Sequence, residues 1–520
     1  MSHARVEVLE QQNATLLATV ADLSAKLSAA TEELAWYRRQ LFGSKSEKRL
    51  EFDDARQASL FAALGIEPGP AGEVPTQKIT YRRRVKRRDG AVNEEGLRFD
   101  ESVPVETIVV TDPAIEAIPE SEREVIGEKV THRLAQEPGS YKVLKYVRQV
   151  VRRRDTGRML TPPAPAGVLG RAAVDVSFLA GLLVEKFRWH LPLYRQHARL
   201  ADAGITVSRR SLTNWAGRTI DLLRPVVKAQ SEHILSGDVI AMDETSIKAG
   251  RTGPGKMRAA YFWPVYGQAG ELVFHYAPSR AHKHVEAFLG GFSGTLLTDG
   301  YAAYEAYAAR HGNIHARCWS HSRRKFEAAK NADPDGAEEA LSLIGVLYRH
   351  ERKIRKKKLK GPQKLAYRRE WLTPAVDAFF GWCQQQRQRV DLLPSDPFGQ
   401  ALGYAARRET GLRVFLEDPE VAIDTNHVER GLRAIPMGRR NWLFAWTEVG
   451  AERVGAIQSL LVTCQLQGVN PYTYLVDVLQ RIDRHPASRV IELTPRVWKD
   501  LYAENPLRSD LDKARGPPTQ

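Results

Sequence analysis

Between residues 6 and 41 apolar positions recur every seven residues. Val6, Val20, Leu27, Leu34 and Leu41 share one series with Asn13, and Leu9, Leu16, Leu23, Ala30 and Tyr37 lie three residues after its first five members. This is the a and d pattern of a coiled coil, in which one Asn at an a position favours a parallel two-stranded register. Five heptads without Gly or Pro predict a rod of roughly 54 Å, so residues 1–43 read as a coiled coil. A long helix packed on its own domain is the bland alternative. Beyond Gly43 the pattern fades through Pro68, Gly69, Pro70, Gly72 and Pro75, and residues 44–104 read as a flexible basic linker. Alternation at 105–110 and 141–151 then predicts strands of a small β-rich module, 105–165, closed by Pro162-Pro163-Ala164-Pro165.

Periodicity changes to helical at Val176, Leu179, Leu183 and Phe187. A second helix is predicted from about 193 to 203, Gly204 breaks it, and Ser208 can cap a third through Leu212, Trp215 and Ile220. Helix, short Gly-containing turn, helix is the helix-turn-helix arrangement, assigned here to 166–235. Arg209, Arg210, Thr213 and Asn214 would occupy the turns that usually meet base edges. Helix pairs are also common in ordinary cores.

From 238 the chain reads as strands at 239–242, 259–266 and 272–276, a helix at 282–289, a strand at 296–298, and a further strand at 314–318. That order is the order of a ribonuclease-H-like fold, in which the first and fourth strands lie side by side. Asp243 and Asp299 end those two strands, and a carboxylate at the end of a buried strand is costly unless it binds something. Paired carboxylates with a third acid suit two Mg²⁺ ions. Residues 424–433 supply Glu429 on a helix with Arg430 and Arg433, although Asn426-x-x-Glu429 also reads as a capping box. The 130 residues from Asp299 to Glu429 exceed any ordinary connection. Residues 330–415 therefore read as a helical insertion that projects from the body and clamps DNA, or else only buttresses the helix of Glu429. Catalytic-domain segments are expected at 236–329 and 416–450. Two helices are expected over 451–482 in a C-terminal region, 451–520, that frays from Pro506.

Composition narrows the function. Seventy-seven Lys and Arg against 62 Asp and Glu leave +15 and a pI near 9.6, which points to a polyanionic partner. Apolar residues at 43% exclude a wholly disordered chain. Cys318, Cys383 and Cys464 are too few and too scattered for a disulfide scaffold or a Cys-x-x-Cys zinc module. With no signal-peptide pattern and no apolar run near ~18 residues, a cytoplasmic protein is expected, away from membranes and at the nucleoid when bound to DNA. The run Arg82-Arg83-Arg84-Val85-Lys86-Arg87-Arg88 has six cations in seven residues and should stay solvated, as charge runs usually do, or lie on phosphates.

Several ordered motifs make the resemblance specific. Ala241-Met242-Asp243-Glu244-Thr245, Thr298-Asp299-Gly300-Tyr301, Cys318-Trp319-Ser320-His321 through Arg323-Arg324-Lys325-Phe326, and Asn426-His427-Val428-Glu429-Arg430 follow one another in turn. Gly438-Arg439-Arg440-Asn441-Trp442-Leu443-Phe444 and Gly468-Val469-Asn470-Pro471-Tyr472 complete the series, with Leu41-Phe42-Gly43 and Leu191-Pro192-Leu193-Tyr194-Arg195 earlier. In these the chain resembles transposases of the insertion sequence 66 family over nearly its whole length. The resemblance implies an acidic triad of Asp243, Asp299 and Glu429 that holds two Mg²⁺ or Mn²⁺ ions. It also implies DNA contacts from the 82–88 run, from Arg209, Arg210, Thr213 and Asn214, and from Arg323, Arg324, Lys325, Arg430, Arg433, Arg439, Arg440 and Trp442. Many relatives have a Cys-rich zinc module ahead of the helix-turn-helix; here no Cys precedes Cys318, and zinc is not expected. His321 with Cys318 makes too few ligands, while Trp442 and Trp446 can stack on an unpaired base or simply pack.

The function expected is a DNA transposase that cuts element ends and joins the freed 3′-hydroxyls to target DNA. A purely hydrolytic nuclease and an inert DNA-binding accessory protein or repressor are the alternatives. Expected partners are double-stranded DNA (terminal inverted repeats and target), a second copy through residues 6–41, and helper proteins from the same element. Deleting residues 1–42 should shift the mass in solution toward monomer, measured by light scattering; an unchanged oligomer would show that other surfaces assemble it. Neutralising both basic runs, 82–88 and 352–358, should flatten the dependence of log affinity on log salt by about five units if half of their twelve cations touch phosphate. Sequence preference should survive, since phosphate contacts position and base contacts specify.

Overall fold

The computed structural model describes residues 97–514 except 100, 102, 138, 171, 254, 255, 394, 443, 444 and 446. The predicted coiled coil, most of the linker, the 82–88 run and Trp446 lie outside the described residues. The described part belongs to one compact unit, Lys86–Gln520.

After β1 (Arg98–Phe99) comes a sheet of β2 (Val105–Val110), β3 (Arg123–Glu137), β4 (Ser140–Arg153) and β5 (Met159–Leu160). The central strand β4 pairs parallel with β2 and antiparallel with β3. Alternation predicts β2 and β4 but not β3, whose register shifts between Val125 and Gly127; a bulge breaks the period of two on which such reading depends. Leu134 fastens this sheet to the next element. Its N–H donates to Ala173 (2.8 Å) and its carbonyl accepts from Asp175 (2.7 Å), and Asp175 caps α1 (Val176–Phe187).

Helix α2 (Leu193–Asp202), a turn at Gly204 and α3 (Arg209–Leu235) follow, with β6 (Ile205–Thr206) inside the turn pairing back to β1. Ser208 caps α3 by accepting from Ser211 N–H at 3.0 Å. Helix α3 runs through Pro225 to Leu235, so one helix begins in the segment expected to be a helix-turn-helix and ends against the central sheet.

That sheet contains β7 (Val239–Met242), β8 (Thr245–Gly253), β9 (Lys256–Gly267), β10 (Glu271–Ala277), then α4 (Lys283–Leu289), β11 (Thr295–Thr298), α5 (Ala302–His311) and β12 (Ile314–Arg317). The order is β10-β9-β7-β11-β12, with β8 also on β9. The first and fourth strands predicted for this region, β7 and β11, are parallel neighbours. Both are buried runs because the sheet is covered on both faces. Val239, Ala241 and Leu297 join one core, Ile240, Met242 and Leu296 another. Strand β8 is absent from the sequence reading, since its stretch carries Lys248, Gly250, Arg251 and Gly253 and its pairing is irregular.

Helices α6 (Trp319–Ala328), α7 (Pro334–Lys356), α8 (Gly361–Gln386), α9 (Pro397–Ala406) and α10 (Glu409–Arg413) fill the interval before α11 (Asn426–Leu432) and α12 (Ala434–Trp442). They do not stand off as a projecting body. Ile344, Leu372, Phe379 and Phe398 share a core with sheet residues Ala241 and Leu297 and with Val428 of α11, the buttressing arrangement. The basic end of α7 remains exposed: Arg352, Lys353, Arg355, Lys356, Lys357 and Lys358 face solvent around buried Ile354.

Helix α13 (Glu448–Gln467) closes the sheet edge at β10. Leu272 N–H donates to Thr463 Oγ1 (3.1 Å) and Phe274 N–H to Ser459 Oγ (2.9 Å), while Gln230 Nε2 of α3 donates to the Leu272 carbonyl (2.9 Å). A Cβ on Gly455 would lie 2.8 Å from the Phe274 carbonyl oxygen, so only glycine permits this approach. After α14 (Pro471–Arg481) and α15 (Pro495–Leu501), α16 (Asp510–Ala514) docks on the first sheet. Leu511 packs with Leu144 and Tyr146, and Tyr146 donates to Asp510 at 2.9 Å. The fraying expected from Pro506 therefore does not occur through residue 514, because Leu511 is one apolar residue with a prepared site.

Replacing Thr463 with Val keeps the volume but strands the Leu272 N–H in the interior. We expect a loss of about 1–3 kcal/mol in urea-induced unfolding; a change within error would mean that the edge is closed by packing alone.

Candidate functional site

Strands β7 and β8 both pair with β9 along the same edge, Met242 opposite Val265 and Thr245 opposite Phe262. Between them the ladder lapses for two residues, Asp243 and Glu244. Opposite the lapse stands Pro264. Its neighbour Phe274 on β10 directs its own N–H outward to Ser459, so the Pro264 nitrogen faces β7 and has no hydrogen to give. Alternation continued from β7 puts Asp243 on the face of Val239 and Ala241 and Glu244 on the face of Ile240 and Met242. Glu244 accordingly accepts from the buried Tyr304 hydroxyl (2.6 Å) and pairs with Arg280.

Asp299 follows β11 on the face of Leu297. Its Oδ1 accepts from Tyr301 N–H at 2.9 Å, and Gly300 turns the chain with φ +99°. A side chain there would meet Arg317 and Arg408 at about 3 Å as well as being strained. Carboxylate oxygens of Asp243, Glu244 and Asp299 lie within 4.8 Å of one another. Burial, with the charges of Glu244, Asp299 and Glu429 added, pushes the Asp243 carboxyl up to about 7 against the hydrogen bond from Glu244 N–H. Burial likewise raises Glu244, opposed by Tyr304 and Arg280. These oxygens suit a hard divalent cation.

Glu429 reaches the same region from α11 without joining that cluster. Arg324 of α6 pairs with its carboxylate, and the field of Glu429 is felt at Asp243. Cys318 and Trp319 anchor this distant segment. Thr425 N–H and hydroxyl both donate to Cys318 Sγ at 3.3 Å, Trp319 N–H donates to the Ile423 carbonyl (3.1 Å), and Trp319 Nε1 to Leu412 (2.8 Å). The capping box does not form: Thr425 occupies the cap position, and Asn426 donates to Asp424. His321 accepts from Arg324 at 3.1 Å; burial and Arg324 hold its imidazole below the usual range. His427 packs edge-on to Tyr266, and burial lowers it to about 4.

Sequence reading missed Glu244, Arg280 and Tyr304. An acid directly after Asp243 was the available signal, but which of two adjacent acids faces a site depends on where the ladder breaks.

The remaining candidates divide. Arg209, Arg210, Thr213 and Asn214 are exposed on the first turns of α3, though the Thr213 hydroxyl donates to the Arg209 carbonyl. Arg323 and Lys325 are exposed on α6, and Arg430, Arg433 and Arg440 on α11 and beyond. Arg439 is tied to Ser246, donating to its carbonyl and hydroxyl. Trp442 lies across Gly438 of its own helix against the main core, which favours packing over stacking on a base.

The comparisons agree with one another. The model described as Transposase IS66 family matches residues 171–453, the IS66 C-terminal element matches 459–496, and Transposase C of IS166 homeodomain matches 29–108. Two proteins of Sinorhizobium fredii, both described as uncharacterized, are similar along most of the chain. Protein y4hP is 29% identical over 90% of this chain and 88% of its own, and y4jD is 28% identical over 95% and 98%. A third from the same organism, y4qI, also uncharacterized, is 30% identical over 73% and 72%. With a family model covering more than half its length, the chain belongs to the IS66 family of transposases.

Proposed function

We propose that the chain cuts DNA at the ends of an insertion sequence and joins the freed 3′-hydroxyls to target DNA. The observation that carries this reading is the meeting of Asp243 and Asp299 at the ends of adjacent parallel strands, with Glu429 within reach of their field. The strand order fits a ribonuclease-H-like nuclease core. Asp243, Asp299 and Glu429 would hold two Mg²⁺ or Mn²⁺ ions, with Glu244 supporting the first. When bound, such ions lower the pKa of an attacking water or hydroxyl and offset charge on the leaving oxygen. Arg324 keeps Glu429 oriented, and Arg280 and Tyr304 hold Glu244 in place beside Asp243 and Asp299. In cutting, water oxygen bonds to phosphorus as the 3′-oxygen leaves with a proton; in joining, that 3′-oxygen displaces another from target phosphorus. The exposed start of α3 is the proposed base reader, the basic runs the backbone contacts, and the heptads of 6–41 the means of pairing two copies.

Replacing Asp243 or Asp299 with Asn, or Glu429 with Gln, should lower cutting of end duplexes by about three orders of magnitude or more. Affinity for the same duplex should stay within a few-fold. Retained cutting in any one variant would remove that residue from the site, and cutting without joining would leave a hydrolytic nuclease.

A second test uses pH. Asp243 has a folded pKa of about 7, above its unfolded value, so its neutral form is favoured by folding and its ionisation destabilises the metal-free chain. Stability from this group is full below the unfolded pKa and declines as pH rises toward 7. Metal-free Asp243→Asn should therefore be more stable than wild type to urea at pH 8, by on the order of 2–4 kcal/mol, with the gap shrinking toward pH 5. Millimolar Mg²⁺ should stabilise wild type at pH 8 and release a proton near pH 7. A pH-independent difference would show that charge is not the cause.

A further inference from the structure

Between the end of α7, the start of α8 and residues 422–430 lies a cavity of about 530 Å³, lined by Arg430 of α11 but not by Asp243, Glu244 or Asp299. Its size is that of a small-molecule site, ~300–1,000 Å³, and its charge is uneven. Arg368, wholly buried, gives Nε to Glu351 (2.8 Å) and Nη1 to the carbonyls of Phe415, Asp418 and Val421 (2.7, 3.0 and 3.0 Å). Glu351 is thereby neutralised, yet Arg368 Nη2 is buried with no partner among the described residues. Asp424 is the other acid in the lining, and both its oxygens are occupied by Asn426. Against these stand Arg355, Arg430 and Lys364, whose ammonium donates to the neutral Pro419 carbonyl and keeps its charge unpaired by any acid among the described residues. Neither Arg355 nor Arg430 makes an ion pair among the described residues. The balance favours an anion.

Placement adds what kind. Arg430 follows Glu429 on one helix, so the two side chains diverge by roughly 100°, Glu429 toward Arg324 and Arg430 toward the cavity. From Arg355 the exposed cations of α7 continue outward, a track suited to a phosphate backbone. Tyr348, Ile354 and Leu359 supply apolar wall. We propose that this cavity receives one nucleotide of the DNA strand that passes the acidic cluster, its phosphate on Arg355, Lys364 and Arg430 and its sugar and base against Tyr348, Ile354 and Leu359. The assignment rests on the DNA-cutting reading above.

The test uses the full-length chain and duplexes copied from the element's own end, each with one phosphate replaced by a neutral methylphosphonate. In wild type, one or two linkages beside the cut should weaken binding about tenfold. The double variant Arg355→Ala, Lys364→Met should bind the unmodified duplex about tenfold more weakly and be indifferent to those same linkages. If every linkage costs the variant what it costs wild type, the cavity holds no phosphate and the proposal falls. Should the double variant fail to fold, Arg355→Ala alone, at an exposed position, carries the same comparison. A deoxynucleoside monophosphate that binds wild type as tightly as the duplex would assign the cavity to a free nucleotide and overturn the strand assignment. Wild type that cuts and joins end duplexes while showing additive losses sinks only the cavity; wild type that does neither sinks the parent reading as well.

Discussion

Three carboxylates with oxygens inside 4.8 Å are the constraint from which the rest of this fold can be understood. Two unit charges ~4 Å apart repel by about 4 kcal/mol at an effective dielectric of ~20, so Asp243, Glu244 and Asp299 cannot all be ionised and close without compensation. The protein supplies some of it locally. Arg280 and Tyr304 engage Glu244, and backbone N–H groups of Glu244 and Tyr301 engage Asp243 and Asp299. Proton uptake supplies more, which is the meaning of an Asp243 carboxyl raised to about 7. A site that is uncomfortable in this way is prepared for cations.

The same constraint bears on how Glu429 is held. A third acid adds to the repulsion at Asp243, so it needs a partner of its own. Here it arrives on a separate helix, already paired with Arg324. Its distance from Asp299 along the chain is bridged by contacts at both ends of the insertion. Cys318 and Trp319 hold residues 412–425 from the sheet side, and Arg368 holds the carbonyls of 415, 418 and 421 from the helical side. Because Phe379 and Phe398 sit in one core with Ala241 and Leu297, shifting the insertion would shift Glu429 relative to the aspartates.

Much of this was legible in sequence because it depends on local rules. Ser208 as a cap, Gly204 as a break, and buried runs ending in Asp243 and Asp299 each state their structure within a few residues. What was not legible depends on pairing. Strand β3 hides behind the shift at Gly127, β8 behind its charged residues, and the roles of Asp243 and Glu244 behind a ladder that lapses opposite Pro264. Asn426-x-x-Glu429, the alternative reading of Glu429, satisfies a local rule and still does not form, because Asp424 claims Asn426 and Arg324 claims Glu429. Leu511 is the plainest case. Nothing in 506–514 announces a docking site, since the site is made by Leu144 and Tyr146 more than 360 residues earlier.

If the chain binds and cuts DNA as proposed, an acidic centre in a chain of net charge +15 sets the two against each other. Exposed cations at the start of α3, along α6 and at the end of α7 draw a polyanion inward, whereas Asp243, Glu244 and Asp299 repel its phosphates. DNA held only by the periphery would leave its scissile bond short of the carboxylates. On the proposed two-ion reading, divalent cations would reverse the sign of the centre, so that the surface that attracts DNA without metal would commit it to reaction only with metal. Helix α11 stands on the boundary between the two fields: Glu429 faces the acidic centre, and Arg430, the next residue, faces cations. On the proposed reading, a single helix that presents opposite charges on adjacent residues would set the spacing between the place where a strand is held and the place where it is cut.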